Sequence, residues 1–395
     1  MNPREQVKTA LTETTREAQT HDLPPSVDGR KVSQGMPMFL PEMAEAAVDA
    51  LRNDKFLRGE NVVKFEEEFA RFVGTEYAIS TSSGTNALQF IFFALKLEGK
   101  KVVTTPNSFI ATANSVIQAN ATPVFGDISE GDYCLDPAEA EKQLKSGASG
   151  LLPVHIYGFP ANLTAFSELS ERYDVPLVED ACQAHGAEYK GKRAGAVGTA
   201  AAFSFYPSKN MSVLGDGGMV TTDDKRIADY VAKVRDGGRM SWYEQDVLGY
   251  SSRLNTVNAA IGRVQLRHLE EWNEKRRYVA ERYRRSLKEI AAIRLPPEGD
   301  EGVRPVYHQF VMRAAKRDLL QAYLKGKGVE TGIHYPIPIH LQPLYVRLFG
   351  YAEGAYPMSE RLAKEYLSLP MHPLLSDEDV EYVCEEISNF YGRGS

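Results

Sequence analysis

The sequence contains few cysteines, no basic cluster and no long apolar run, and each absence narrows its function. It has three cysteines, Cys134, Cys182 and Cys384, whose spacing fits neither a metal site nor a disulfide framework. A net charge of −7 without a basic run argues against nucleic acid as a ligand. No apolar stretch has the length of a membrane-spanning helix, and the amino terminus lacks the apolar core of a signal peptide. We therefore expect a cytoplasmic protein that binds neither nucleic acid nor membrane.

The composition and the periodicity predict a two-domain α/β protein. With 395 residues, 43% of them hydrophobic and 25% charged, the chain is long enough for one large and one small domain. Strands alternate with helices in the larger part, which is typical of a doubly wound, mostly parallel sheet flanked by helices. One helical pattern from Val257 to Ile290 is expected to lead into the smaller domain. We predict an N-terminal extension (1–35), a large domain (36–265) and a small C-terminal α+β domain (266–395).

One lysine lies in a turn between an apolar strand and a glycine cluster. The run Ala201–Ser204 is typical of a buried strand, Lys209 follows it, and the glycines of Gly215–Gly218 come next. An amine held among apolar groups loses its proton more easily than a solvated amine and can form a Schiff base with a carbonyl compound. The alternative is that Lys209 only extends its amine into solvent from a strand end.

A carboxylate at the end of another strand offers a partner for this lysine. Val175–Asp180 is a short apolar strand, and ligands collect beyond the carboxyl ends of strands in a parallel α/β sheet. Pyridoxal phosphate needs an acidic partner for its ring nitrogen as well as a Schiff-base lysine. Asp180 and Lys209 fit these two catalytic roles, although Asp180 could instead cap a helix.

A third segment suits the phosphate of the same cofactor. Ala78–Ile91 passes from a strand through Ser83, Gly84 and Thr85 into an apolar helix. Unpaired N–H groups at a helix start, together with the helix dipole, favour a phosphate. Serine and threonine also cap ordinary helices. The interpretation as a phosphate site is therefore supported mainly by the presence of Asp180 and Lys209 in the same sequence.

The segments around these residues resemble the DegT/DnrJ/StrS family of sugar aminotransferases, which are pyridoxal-phosphate enzymes with the aspartate-aminotransferase fold (fold type I). The resemblance extends from about Met36 to about Tyr391. It rests on the following segments: Ser83–Leu88, Pro106–Asn114, Pro153–Gly158, Glu179–Ala187, Ala202–Asn210, Gly215–Gly218 and Gly332–Pro336.

The resemblance implies roles for further residues. It places Phe109 flat against the pyridine ring, Gln183 near the ring oxygen, and Ser204 on the phosphate. Relatives offer an asparagine to the phosphate of the partner subunit, and Ser251 stands at that position here, with a shorter reach. The residues expected to contact the substrate are Tyr157, Arg253, His334 and Tyr335.

The resemblance also implies a reaction and an assembly. It points to transfer of an amino group from L-glutamate to a nucleotide-linked keto-6-deoxyhexose by a homodimer with shared active sites. The segment His334–Pro343 is more similar to relatives that act on dTDP-3-keto-6-deoxyhexoses, and a 4-keto sugar is the alternative. A protein with this fold but no lysine would serve in binding or regulation, so the presence of Lys209 favours the enzyme.

Overall fold

The computed structural model describes residues 29–299 and 302–392. Most of the predicted N-terminal extension (1–35) therefore lies outside the described residues. The described chain alternates between helices and strands, as the sequence predicts for an α/β protein. No helix in these two ranges is both long and apolar enough to span a bilayer.

The helices are numbered in chain order. They are α1 (Pro41–Asn53), α2 (Glu60–Val73), α3 (Gly84–Ala94), α4 (Ala111–Gln118), α5 (Pro137–Lys145), α6 (Leu163–Tyr173), α7 (Lys225–Val234), α8 (Thr256–Leu287), α9 (Arg317–Gly326), α10 (Pro343–Phe349), α11 (Pro357–Glu365) and α12 (Asp377–Gly392). Short 3₁₀ turns cover Ile156–Gly158 and Ile339–Leu341.

The strands are numbered in the same way. They are β1 (Tyr77–Thr81), β2 (Lys101–Thr104), β3 (Thr122–Phe125), β4 (Val178–Asp180), β5 (Glu188–Tyr189), β6 (Lys192–Arg193), β7 (Ala200–Ser204), β8 (Gly218–Thr222), β9 (Ile293–Arg294), β10 (Val303–Arg304), β11 (Phe310–Ala314) and β12 (Tyr366–Leu369).

The central sheet is mixed and mostly parallel. Its strand order is β1-β8-β7-β4, where β7 and β4 run parallel and β8 is antiparallel to both of its neighbours. Parallel bridges from Leu151 to Leu177 and to Val103 join β4, through residues 151–154, to the parallel pair β2 and β3. The predicted fold class is confirmed, because helices also cover the buried apolar strands of this sheet.

Three chain segments end at one edge of this sheet. Because β4 and β7 are parallel, their carboxyl ends, Asp180 and Ser204, point the same way. β8 pairs Gly218 with both Ser204 and Thr81, so the end of β1 lies at this edge as well. The edge therefore collects the ends of β1, β4 and β7, where the sequence places its candidate residues.

A second core lies in the C-terminal part. The small antiparallel sheet β12-β11-β9 packs with α9, α12 and the second half of α8 around buried residues such as Phe310 and Leu320. Helix α8 is continuous through position 265, and its first half packs against the core of the large sheet. The helix thus belongs to both cores, and the boundary at 265/266 stays a prediction.

Candidate active site

The carboxylate of Asp180 is buried at the end of β4 and held at both oxygens. Its Oδ2 accepts a 2.7 Å hydrogen bond from the Thr112 hydroxyl, and its Oδ1 accepts a 3.2 Å bond from the Cys182 amide. Thr112 lies in the first turn of α4, so the positive end of that helix is close to the carboxylate. Asp180 is therefore a fixed negative charge at the sheet edge.

The amine of Lys209 lies near Asp180 and Cys182, and these residues together with Ser204 and the start of α3 form what is called the cluster below. Burial lowers the pKa of Lys209, and the nearby Asp180 carboxylate partly opposes that effect. Within residues 29–299 and 302–392, the Lys209 amine has no hydrogen-bond partner. The structure thus brings Lys209 and Asp180 together, with an amine that gives up its proton more readily than a solvated lysine.

The helix start after β1 is shaped for an anion. Ser83 caps α3 by accepting from the Asn86 amide at 3.2 Å, while the amides of Gly84 and Thr85 meet no protein acceptor in the described part of the chain. A Cβ on Gly84 would lie 2.7 Å from the Cys182 sulfur and 2.9 Å from the Ser204 Cβ. The first turn of α3 therefore approaches Ser204 closely, and its first two amides are free to bind an anion.

An aromatic ring lies beside this cluster. Phe109 precedes Thr112 by one turn and is 53% exposed, and its ring centroid is 6.0 Å from that of Tyr335. The Tyr335 hydroxyl accepts a 3.2 Å bond from the Gln183 side chain, which follows Asp180 in the chain. Phe109 is thus partly exposed beside Tyr335, and its stacking role stays a prediction.

Tyr157 ties the loop with His334 to the strand ends. Its hydroxyl donates to the His334 carbonyl, and its amide donates to the Gln183 side chain at 2.7 Å. The ring of His334 contacts the Ser368 hydroxyl at 2.7 Å, and burial with the Lys209 charge lowers the pKa of His334 to about 4. His334 is therefore a neutral imidazole near Lys209, and the substrate roles of Tyr157, His334 and Tyr335 stay predictions.

The two remaining predicted residues lie outside this cluster. Arg253 donates to Asp236 at 2.7 Å and to the Ser251 hydroxyl at 3.3 Å, and Ser251 is exposed. Their loop reaches the helix start through Ser252, whose hydroxyl is 2.7 Å from that of Ser82. Ser251 is thus open to solvent while Arg253 is paired with Asp236, and the roles of both residues stay predictions.

Sequence reasoning missed two groups that shape the site. Thr112 contacts Asp180 directly, and the fully buried pair His155 and Glu179 underlies the same strand end at 2.9 Å. Glu179 also accepts from the amides of Gly195 and Gly198 at 2.8 and 2.7 Å, which holds the chain before β7 against β4. The position of Thr112, one helical turn after Phe109, was the available signal for its contact.

These side chains fit pyridoxal phosphate. The free amides at the start of α3 suit a phosphate, the Asp180 carboxylate suits a ring nitrogen, and the Lys209 amine suits a carbonyl. The partly exposed ring of Phe109 suits contact with an aromatic ring. All four features lie at one edge of the sheet. A phosphate, a ring nitrogen, a carbonyl and an aromatic ring bound there can therefore belong to one molecule.

Comparison with known proteins agrees with this chemistry. The model of the DegT/DnrJ/EryC1/StrS aminotransferase family matches residues 40–388. The chain is 40% identical to a pleiotropic regulatory protein of Geobacillus stearothermophilus, over 91% of this chain and 97% of that protein. It is 39% identical to the dTDP-3-amino-3,4,6-trideoxy-alpha-D-glucose transaminase of Streptomyces venezuelae, over 89% and 93%. The crystal structure of S. venezuelae DesV with a ketimine intermediate matches at 37% identity with a TM-score of 0.86, covering 89% of this chain and 94% of that one.

Proposed function

Because the chain belongs to the DegT/DnrJ/EryC1/StrS aminotransferase family, we propose that it transfers the amino group of L-glutamate to a keto-6-deoxyhexose carried on a nucleotide. Membership makes the chain a sugar aminotransferase that depends on pyridoxal phosphate. The observation that carries the proposal is the meeting of the Lys209 amine and the Asp180 carboxylate at one sheet edge.

We assign the cofactor contacts from the chemistry of each group. Pyridoxal phosphate, when bound, supplies an electron sink for the carbon that carries the amino group. Asp180 would keep the ring nitrogen protonated, Phe109 would cover the ring face, and Gln183 would lie at the ring oxygen. The residues assigned to the phosphate are Gly84, Thr85, Ser204 and, from a second subunit, Ser251.

The amine of Lys209 is assigned two tasks. It holds the cofactor between turnovers, and when released it removes the proton from the donor Cα. It then returns a proton to the acceptor carbon in the second half of the cycle. A lowered pKa suits both tasks, because the free base is the form that bonds to carbon and accepts a proton. Glutamate leaves as its 2-oxo acid, and the keto-sugar leaves with the amino group.

We propose a dTDP-3-keto-6-deoxyhexose as the acceptor. The loop with His334 and Tyr335 contacts Tyr157, and a neutral imidazole and a phenol suit the hydroxyls of a sugar. The S. venezuelae transaminase reported above, whose named product bears its amino group at carbon 3, supports that position on the sugar. Specificity of this kind rests on few contacts, so a 4-keto sugar is the competing acceptor.

The proposed enzyme acts as a homodimer with shared sites. The segment between β8 and α8 exposes Met240, Trp242, Tyr243 and Leu248 to solvent in the single chain. A group of large apolar side chains of this kind is typical of an interface. The neighbouring loop with Ser251 and Arg253 would then reach the phosphate and the substrate of the partner subunit.

Incubation of the purified protein with substrates tests the proposal. With pyridoxal phosphate it should become yellow, and L-glutamate should shift the visible absorption while aspartate and alanine do not. Mass spectrometry and NMR should then find an amino group at carbon 3 of a dTDP-3-keto-6-deoxyhexose. Amination of the 4-keto isomer alone would refute the assigned position, and a protein that binds the cofactor without any shift would refute catalysis.

A further inference from the structure

The Asp180 carboxylate is held by a chain of two hydroxyl groups from the start of α4. Thr112 Oγ1 is 2.7 Å from Asp180 Oδ2, and Ser108 Oγ is 2.7 Å from Thr112 Oγ1. All three residues are buried, and Thr112 is 2% exposed. No function described above requires this arrangement, and a valine would fill the space of Thr112 equally well.

The directions of these hydrogen bonds follow from donor counting. An ionised carboxylate only accepts, so the single proton of the Thr112 hydroxyl goes to Asp180. The oxygen of Thr112 is then left to accept, and the proton between the two hydroxyls belongs to Ser108. The hydrogen bonds therefore run from Ser108 to Thr112 and from Thr112 to Asp180, and each hydroxyl donates toward the carboxylate.

These hydrogen bonds allow the Asp180 carboxylate one orientation. Oδ2 receives the charge-assisted bond from Thr112, and Oδ1 receives the longer bond from the Cys182 amide. The two donors come from different elements, α4 and the turn after β4, and together they fix the plane of the carboxylate. An aspartate held by one donor alone could rotate about its terminal bond, which is a broad and soft torsion.

We propose that Thr112, supported by Ser108, is a positioning residue that orients Asp180 toward the ring nitrogen of pyridoxal phosphate. The inference rests on the proposed function, since it takes Asp180 as the partner of that nitrogen. Thr112 acts through Asp180 and has no contact of its own with the reacting atoms. Its hydroxyl determines how well the ring nitrogen keeps its proton.

The effect of Thr112 on the ring nitrogen should be visible in the absorption of bound pyridoxal phosphate, here called the chromophore, before any substrate is added. A protonated ring nitrogen places positive charge near the nitrogen that Lys209 contributes, and this lowers the pH at which the chromophore loses its proton. When the ring nitrogen is poorly paired, the midpoint of the visible pH titration should move upward. Pyridoxal phosphate should also dissociate more easily, because one contact to the ring becomes weaker.

The test compares Thr112→Val, Thr112→Ser and Ser108→Ala in the cofactor-loaded protein. For Thr112→Val we expect the titration midpoint to rise by about 0.5 pH unit and cofactor affinity to fall about tenfold, the scale of a lost bond to a charged group. Thr112→Ser keeps the donor, so its midpoint should stay close to that of the parent protein and its cofactor affinity should stay within about twofold of the parent value. Ser108→Ala should give a smaller shift in the same direction.

Two reference variants separate the possible failures. Thr222→Val removes a hydroxyl that is also 2% exposed but bonds the Thr199 carbonyl at the opposite end of the sheet, and it should leave the midpoint unchanged. Asp180→Asn should shift the midpoint further than Thr112→Val. An unchanged midpoint in Asp180→Asn would refute the assigned role of Asp180 and this inference with it.

The remaining outcomes bear on Thr112 alone. If Asp180→Asn shifts the midpoint and Thr112→Val does not, the positioning role is refuted while the proposed function stands. The same midpoint shift and the same loss of cofactor affinity in Thr112→Val and Thr112→Ser would also refute the positioning role, since packing would then explain the effect. Should Thr112→Val fail to fold, Ser108→Ala decides, and an unchanged midpoint in that variant overturns the proposal.

Discussion

The environment of one amine sets the chemistry available at the sheet edge. Lys209 lies in a turn after β7, where burial lowers its pKa and the Asp180 carboxylate partly opposes the shift. The outcome is an amine that is neutral at lower pH than a solvated lysine. Activity that depends on free Lys209 should therefore extend to lower pH than an unperturbed lysine would permit.

Replacement of this lysine tests its assignment at the residue scale. Lys209→Ala should still bind pyridoxal phosphate measurably, through the α3 amides and Asp180, but turnover should fall at least a thousandfold, since base and covalent anchor are both lost. Absorbance titration gives the binding and product analysis gives the rate. The control Lys364→Ala removes an exposed lysine that pairs with Glu353 and should keep full activity. Full turnover in Lys209→Ala would refute the mechanism.

The start of α3 has no room for a side chain at its first residue. Gly84 brings the first turn against Cys182 and Ser204, and a methyl group there would lie within 3 Å of both. Gly84→Ala should lower cofactor affinity about tenfold or more, because the helix must retreat from the phosphate site. Equilibrium dialysis with pyridoxal phosphate measures the change.

A matched glycine isolates the steric effect. Gly326 ends α9 with open space around its Cα, so Gly326→Ala should bind the cofactor normally and melt at the same or a slightly higher temperature. Equal cofactor affinity in the Gly84 and Gly326 variants would contradict the close approach of α3 to Ser204.

Helix α8 is tied to loops of the C-terminal core through a buried arginine. Arg276 Nη1 donates to the carbonyls of Met371 at 3.0 Å and Tyr307 at 3.2 Å, and burial lowers the pKa of Arg276 to about 9. Arg276→Met should reduce the free energy of unfolding by about 2–4 kcal/mol, because it leaves buried carbonyls without donors. Denaturant titration checks this value. Arg285→Met changes an exposed arginine on the same helix and should cost under about 0.5 kcal/mol.

Exposed apolar side chains bear on the assembly of the whole molecule. Leu248 is 84% exposed in the segment that carries Trp242 and Tyr243, and a charge there should disrupt a dimer formed through this surface. We expect Leu248→Glu to shift the mass measured by light scattering from two chains toward one. Leu319→Glu alters a leucine that is 64% exposed on α9 and should leave the mass unchanged. A monomeric unmodified protein would rule out the shared sites.

Buried neutral histidines make the whole molecule sensitive to acid. Burial lowers the pKa of His185 to about 3 and those of His334 and His372 to about 4. An unfolded histidine titrates near about 6.5, so below that pH the unfolded chain binds protons that the folded chain does not. Stability should therefore fall as the pH decreases from about 6.5 toward 4.

One substitution isolates this effect. His372→Gln should reduce the loss of unfolding free energy between pH 7 and pH 5 by about 1–2 kcal/mol, as linkage predicts for one buried histidine. Denaturant titration at both pH values provides the comparison. His268→Gln replaces a surface histidine that contacts Glu42 and should give no such relief. The same pH slope in His372→Gln as in the parent protein would contradict the argument.

The sequence by itself determined the family, the fold class and the cofactor. Apolar periodicity marked the strands that end at Asp180 and Ser204, and hydroxyl and glycine residues marked the start of α3. Such local features can be recognised in the sequence because strand ends, helix starts and glycine turns depend on neighbouring residues. The long helix was predicted from Val257 to Ile290 and runs from Thr256 to Leu287.

The tertiary structure alone decided which distant groups meet. Thr112 and Asp180 are 68 positions apart, and Tyr157 reaches His334 across 177 positions, so no local pattern could pair them. The neutral state of His334 likewise depends on burial by several elements together with the charge of Lys209. Contacts and desolvation of this kind arise when the sheet and the loops pack, and the order of residues along the chain does not contain them.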